Sequence, residues 1–134
     1  MASQDSGKSS QAPVAVGPYS AVRWAGDFAF ISGQIGLDPE SGELAGDGLE
    51  EQARQALRNL DRALKGAGLG REHIMKTTVF LTDMDDFGEL NDIYAGFFAG
   101  VFSLPARSCI AVKALPKGAK VEIEAIAHKV AELG

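Results

Sequence analysis

Arg107 is the side chain best placed to bind an anion. It lies in the segment Leu104–Ile110 (LPARSCI), whose other residues are small or apolar, and Pro105 fixes the backbone just before it. A guanidinium can bind a carboxylate through two parallel hydrogen bonds, which orient the ligand as well as hold it. The sequence leaves two interpretations open, a binding site for a small carboxylate or an internal salt bridge.

Glu124 is the candidate acid–base group. It lies in the alternating segment Val121–Ala127 (VEIEAIA), on the side opposite to the aliphatic residues. A carboxylate on a covered sheet face suits a general base or a group that orients water. The alternative is a structural ion pair with Arg107 or Lys120, and spacing alone favours the ion pair.

Three further side chains could line a site. Cys109 is two residues beyond Arg107, so in a strand both side chains point to the same side. No histidine stands near Cys109 in sequence, which favours a small buried side chain over a nucleophile or redox thiol. Asn91 falls on the buried edge of a predicted helix, where an amide usually caps or bridges structure. Tyr19 either presents its hydroxyl to a ligand or packs against the chain.

Composition excludes several classes of site. The single cysteine rules out an internal disulfide and a zinc site of several thiolates. His73 and His128 have no partner at metal-ligand spacing, so we expect ordinary surface or edge roles for both. Thirteen basic and 18 acidic residues give a net charge of −5, which disfavours a nucleic-acid-binding surface. No apolar run approaches the roughly 18 residues of a membrane helix.

The elements that must position these residues follow the order β-β-α-β-α-β-β. Apolar periodicity predicts helices over 49–67 and 87–101, with Asp47 capping the first. Strands are predicted at 21–24, 28–31, 75–82, 108–114 and 121–128. Two helices on one face of a mixed sheet make a two-layer α+β domain. The other sheet face must then be covered, and we expect further copies of the chain to cover it in a closed oligomer.

A single domain is predicted for residues 13–134. Residues 1–12 are polar and small and lack the apolar stretch of a secretory signal, so we expect a flexible N-terminal tail. The single cysteine and the missing signal favour a reducing compartment, the cytoplasm, and leave a mitochondrial location open.

The chain resembles the RidA/YjgF family of enamine/imine deaminases. The most specific similarity is Pro105–Ser108 (PARS) followed by Glu122–Ala127 (EIEAIA). Further similar segments run in family order: AVGPYS at 15–20, ISGQI at 31–35, DP at 38–39, GE at 42–43, Gln52 with NL at 59–60, KTTVFL at 76–81, DF at 86–87, NDIY at 91–94 and LPKG at 115–118. The resemblance therefore covers nearly the whole chain from Pro13 to Ala127.

This resemblance implies a chorismate-mutase-like two-layer sandwich that forms a homotrimer with clefts at the subunit interfaces. It implies hydrolysis of 2-aminoacrylate and 2-aminocrotonate, which pyridoxal-phosphate-dependent dehydratases release, to 2-keto acids and ammonia, without a metal or cofactor. In the family pattern Arg107 binds the substrate carboxylate, and Glu124 holds or activates water. The other implied cleft residues are Tyr19, Ser32, Gly33, Asn91 and Cys109.

Two other functions are compatible with this resemblance. One is a non-catalytic trimer that binds small ligands or has a regulatory or chaperone-like role. The other is a translation-inhibiting endoribonuclease, which the net charge of −5 disfavours. We expect a small 2-imino or enamino acid as the partner of the site, and neither a membrane nor a nucleic acid.

Overall fold

A computed structural model describes residues 17–130 as one five-stranded sheet with two helices. The strands are β1 (Val22–Ala25), β2 (Phe28–Ile35), β3 (Ile74–Leu81), β4 (Ala106–Ala111) and β5 (Val121–His128). The helices are α1 (Leu49–Gly66) and α2 (Phe87–Phe97), and short 3₁₀ turns lie at Arg71–His73, Met84–Asp86 and Pro116–Gly118. The predicted element order is confirmed. The predicted tail, residues 1–12, lies outside the described residues.

The sheet is mixed, as predicted. Its strand order is β1-β2-β5-β3-β4. Strands β3 and β4 run parallel, because α2 forms the crossover between them, and the other neighbouring pairs are antiparallel. Strand β4 is therefore an edge strand, and β5 is separated from it by β3.

Helix α1 begins at the predicted residue, Leu49, but its N-cap residue differs from the prediction. Gly48, not Asp47, occupies the N-cap position, and the Glu51 carboxylate accepts a hydrogen bond from the Gly48 N–H at 3.0 Å. The Asp47 prediction is wrong because the extended residue that directly precedes the helix is Gly48, which leaves Asp47 one position outside the cap. After the helix, Gly68 adopts a φ of +79°, a left-handed conformation that suits glycine.

The core lies between the helices and one sheet face. Aliphatic residues of β2, β3 and β5 pack there against the apolar side of α1. Two buried polar side chains fasten α1 to neighbouring backbone. The Asn59 amide donates to the Ile35 and Leu37 carbonyls at 3.0 and 2.9 Å, and the Gln52 amide oxygen accepts from the Lys120 N–H at 2.8 Å.

The opposite sheet face, called the open face here, carries apolar side chains that the described chain leaves exposed. Phe28 and Phe30 of β2 are 44% and 45% exposed. Ile126 of β5 is half-buried, and Glu122 and Glu124 share its side of the strand. Exposed aromatic residues on a sheet favour coverage by another surface. The closed oligomer stays a prediction.

Candidate active site

Arg107 lies on the helix side of β4, where an amide and two aromatic rings hold it. Its Nη1 donates to the Asn91 Oδ1 at 2.7 Å. Its Cζ lies 4.8 Å from the centre of the Tyr94 ring and 5.5 Å from that of Phe87. No carboxylate among residues 17–130 forms a salt bridge with it. The salt-bridge alternative therefore finds no support in this part of the chain.

This arrangement leaves most of the guanidinium available to a ligand. A guanidinium carries five N–H donors. Within the described chain, one neutral acceptor, the Asn91 side chain, accepts a hydrogen bond from it. Half-burial reduces the competition from water for an incoming anion. The set formed by Arg107, Asn91 and Tyr94 is called the cationic half-site below.

Cys109 adjoins the cationic half-site, as predicted. It pairs with Val79 of β3 as Arg107 pairs with Thr77, and both partners face the core. Burial raises the pKa of the Cys109 thiol, and the nearby Arg107 charge only partly opposes this effect. The thiol is therefore neutral near pH 7, which disfavours a nucleophilic role.

We expect Cys109→Ser to retain at least about a tenth of wild-type turnover, because the substitution keeps the backbone and nearly the volume of the side chain. A nucleophile would lose far more, since a serine hydroxyl without a base is a poor substitute for a thiolate. Steady-state kinetics of the two proteins decides between these outcomes. A loss of about 1,000-fold would identify the thiol as a reacting group.

A second set of predicted residues lies on the open face. Ser32 Oγ donates to the Ser20 carbonyl at 2.7 Å, which fixes the serine beside β1. Ser32 and Glu124 line one groove of about 340 Å³, together with Ser20 and Phe30. The pairing between β2 and β5 shifts register between Ile31 and Gln34, so Ser32 and Gly33 form an irregular stretch of β2.

Glu122 is a residue of this set that the sequence analysis missed. Its carboxyl lies against Gly33, where an added Cβ would come within 2.7 Å of the Glu122 Cδ. Burial raises the Glu122 pKa above its usual value, and the Glu124 charge adds to this effect. Both glutamates alternate onto the same face, so the pattern alone could not choose between them. Ser32, Gly33, Glu122 and Glu124 are called the carboxylate half-site below.

Tyr19 lies in the segment before β1, at the sheet edge opposite to β4. It is 49% exposed. The structure therefore places it on the side of the molecule that carries Ser20 and Ser32, and away from the strand of Arg107.

The two half-sites do not meet within one copy of the chain. Arg107 faces the helices, whereas Glu122 and Glu124 face the other side of the same sheet. Strand β3 also separates β4 from β5, which adds about 10 Å at the usual strand spacing. A substrate of a few carbon atoms cannot bridge these groups through the sheet.

Both histidines make contacts that support the local structure. His73 Nδ1 accepts from the Gly70 N–H at 3.0 Å, and the His128 ring packs 4.6 Å from that of Phe28. Residues 17–130 contain no cluster of three potential metal ligands. No helix in that range is long and apolar enough to cross a membrane.

Comparison with known proteins gives consistent matches. The family model described as Endoribonuclease L-PSP matches residues 9–129. The 2-iminobutanoate/2-iminopropanoate deaminase of Mus musculus is 53% identical over 117 residues, which are 87% of this chain and 85% of the relative. The Homo sapiens protein of the same name is 48% identical, over 87% of this chain and 84% of its own.

Solved structures agree with these sequence matches. E. coli TdcF with bound serine superposes with a TM-score of 0.82 at 44% identity, covering 88% of this chain and 93% of that one. The YjgF gene product of E. coli has a TM-score of 0.83 at 43% identity, covering 89% and 94%. The fold is therefore the chorismate-mutase-like α+β sandwich of these proteins. The chain belongs to the Endoribonuclease L-PSP family, the RidA/YjgF family.

Proposed function

We propose that this protein is a deaminase that hydrolyses 2-imino acids and their enamine tautomers to 2-keto acids and ammonia. The observation that carries the proposal is the half-buried Arg107 guanidinium, which Asn91 and Tyr94 hold while no carboxylate of the described chain pairs with it. The names of the Mus musculus and Homo sapiens relatives support this reaction.

In the proposed reaction the main task of the protein is to position the substrate and the attacking water. The substrate carboxylate binds Arg107, which leaves the neighbouring imine carbon at a fixed distance from the guanidinium. Water adds to that electrophilic carbon and the C–N bond then breaks, so that imine and water become keto acid and ammonia. A carboxylate that takes a proton from the water and returns it to the nitrogen as ammonia leaves contributes about 10²–10⁴ in rate. Holding water and substrate together lowers the entropic part of the barrier.

The carboxylate that acts on water is proposed to be Glu122. It touches Gly33 and is half-buried, whereas Glu124 is exposed in the chain. A raised pKa makes Glu122 a stronger base than an ordinary carboxylate. Glu124 lines the adjacent groove together with Ser32, so it is also near the place proposed for water. Its predicted role in holding or activating water stays a prediction.

The complete site is proposed to form between two copies in a homotrimer. The two half-sites lie on opposite sheet faces, so a second copy must bring its carboxylate half-site to the cationic half-site of the first. The exposed Phe28 and Phe30 supply an apolar surface for this contact. Tyr19 and Cys109 would then line the cleft from the two sides.

Sedimentation should give three times the chain mass of 14.1 kDa, and a monomer would contradict this assembly.

The reaction as proposed uses no metal or cofactor, because the imine carbon is already electrophilic. A cytoplasmic location fits this role, since dehydratases that release such imines would work beside the protein.

RNA cleavage is a second candidate function because the matching family model is described as an endoribonuclease. The net charge of −5 and the paired glutamates of the carboxylate half-site oppose binding of a phosphate backbone. We expect the protein to leave RNA intact at concentrations that complete imine hydrolysis. RNA cleavage that Arg107→Ala abolished would instead assign a ribonuclease activity to this site.

The test of the proposed function is the rate at which an unstable imine disappears. A pyridoxal-phosphate-dependent threonine dehydratase generates 2-iminobutanoate in the cuvette, and formation of 2-oxobutanoate is followed with wild type, with Arg107→Ala and with no added protein. Acceleration by wild type alone supports a deaminase that uses Arg107. A wild-type rate equal to the uncatalysed rate contradicts the proposal and leaves a ligand-binding protein.

A further inference from the structure

Tyr94 contacts both the core of the sheet and Arg107. Its hydroxyl and the Thr77 Oγ1 lie 2.7 Å apart, in a hydrogen bond in which either oxygen can donate. Thr77 is fully buried on β3 and is the register partner of Arg107 on β4. One side chain of α2 is thereby tied to the strand that neighbours the proposed carboxylate-binding arginine.

The same ring supports the guanidinium. The Arg107 Cζ lies 4.8 Å from the Tyr94 ring centre, within the range of a cation–π interaction. The Asn91 Oδ1 holds Nη1 at 2.7 Å. Together with the more distant Phe87 ring, these two contacts from α2 restrain the position of a long and otherwise flexible side chain.

We propose that the Tyr94 ring, held by the hydroxyl–Thr77 hydrogen bond, is a positioning platform that keeps Arg107 ready for the substrate carboxylate. The inference rests on the proposed function for the identity of that carboxylate. Tyr94 acts through Arg107, and its role is to lower the entropy that the arginine loses on binding.

The platform predicts a specific kinetic effect. The carboxylate is bound equally in the ground state and in the transition state, so loss of the platform raises KM and leaves kcat nearly unchanged. Tyr94→Leu removes the ring, and we expect KM and the Kd for 2-oxobutanoate to rise about tenfold, with kcat within about threefold of wild type. Tyr94→Phe keeps the ring but loses the hydroxyl bond to Thr77, so both constants should rise by about threefold, less than for Tyr94→Leu.

A matched control is available on the same helix. The Phe97 ring lies 5.6 Å from the Cζ of another arginine, Arg71, and contacts the Tyr94 ring only indirectly, through Phe98. Phe97→Leu therefore removes an aromatic–arginine contact away from the site. We expect it to lower the thermal unfolding temperature, as Tyr94→Leu does, without raising KM or the Kd for 2-oxobutanoate.

Calorimetric titration with 2-oxobutanoate keeps this inference separate from the proposed function, because it needs no turnover. If wild type binds 2-oxobutanoate but does not hydrolyse the imine, the proposed function fails and the platform is still measured by Kd. If wild type is active and Tyr94→Leu has a wild-type Kd and KM, the platform is overturned. It is also overturned if Tyr94→Phe loses as much affinity as Tyr94→Leu, or if Phe97→Leu weakens binding equally.

Discussion

Arg107→Lys is expected to lower kcat/KM for 2-iminobutanoate by about 100-fold, mostly through KM. The reason is that the guanidinium can donate two charge-assisted hydrogen bonds, of about 1.5 kcal/mol each, to the substrate carboxylate. Lysine keeps the positive charge but lacks the planar fork that matches both carboxylate oxygens. It also cannot keep the present geometry, in which Asn91 holds one nitrogen while Tyr94 supports the plane.

The measurement is the initial rate of 2-oxobutanoate formation over a range of imine supply, with Arg71→Lys as the matched control. Arg71 also stacks on an aromatic ring, that of Phe97, but lies outside both half-sites. Its substitution should leave kcat/KM within about threefold of wild type. An Arg107→Lys enzyme with the wild-type KM would show that the guanidinium does not bind the substrate carboxylate.

Glu122→Gln is expected to lower kcat by about 100-fold or more, which is the usual contribution of a placed general base. The amide is nearly isosteric and keeps the contact with Gly33, so the change removes basicity with little change in shape. Glu124→Gln, two residues along the same face, serves as the matched comparison. We expect it to retain more than about a tenth of kcat. The opposite ranking of the two variants would assign the base to Glu124.

The pH profile of kcat/KM gives a second test that distinguishes the roles of Glu122 and Glu124. In the proposed mechanism the carboxylate form of Glu122 is the active one, so kcat/KM is expected to fall as the pH decreases through its raised pKa. The Glu124 charge contributes to this raised pKa because it disfavours a second negative charge nearby. Glu124→Gln should therefore move the acidic limb of the profile to lower pH. A limb at the wild-type position would show that another group controls it.

Much of the fold could be predicted from sequence periodicity. The 3.6-residue period located α1, and the alternation of Val121–His128 located β5 together with its two faces. The N-cap of α1 was not predicted correctly. It is Gly48 where the sequence favoured Asp47, because the backbone conformation at the helix start, and not side-chain capping preference alone, decides which residue is the cap.

The site was only partly predictable for a reason of topology. Sequence spacing placed Arg107 and Cys109 on one side of a strand, and the structure confirms it. It could not show that α2 brings Asn91 and Tyr94 under Arg107, since those contacts join residues distant in sequence. Nor could alternation separate Glu122 from Glu124, because strand parity treats them alike. The separation of the half-sites follows from the strand order, which is a tertiary property.

If catalysis needs Arg107 from one copy and a carboxylate from another, two variants that are inactive alone should regain activity when their copies are mixed. Arg107→Ala is denatured and refolded together with the double variant Glu122→Gln/Glu124→Gln, and 2-iminobutanoate hydrolysis is measured. In a ring of randomly mixed copies, about one site in four joins an intact arginine to an intact carboxylate pair, so about a quarter of wild-type activity should return. A mixture no more active than its separate components would contradict a shared site.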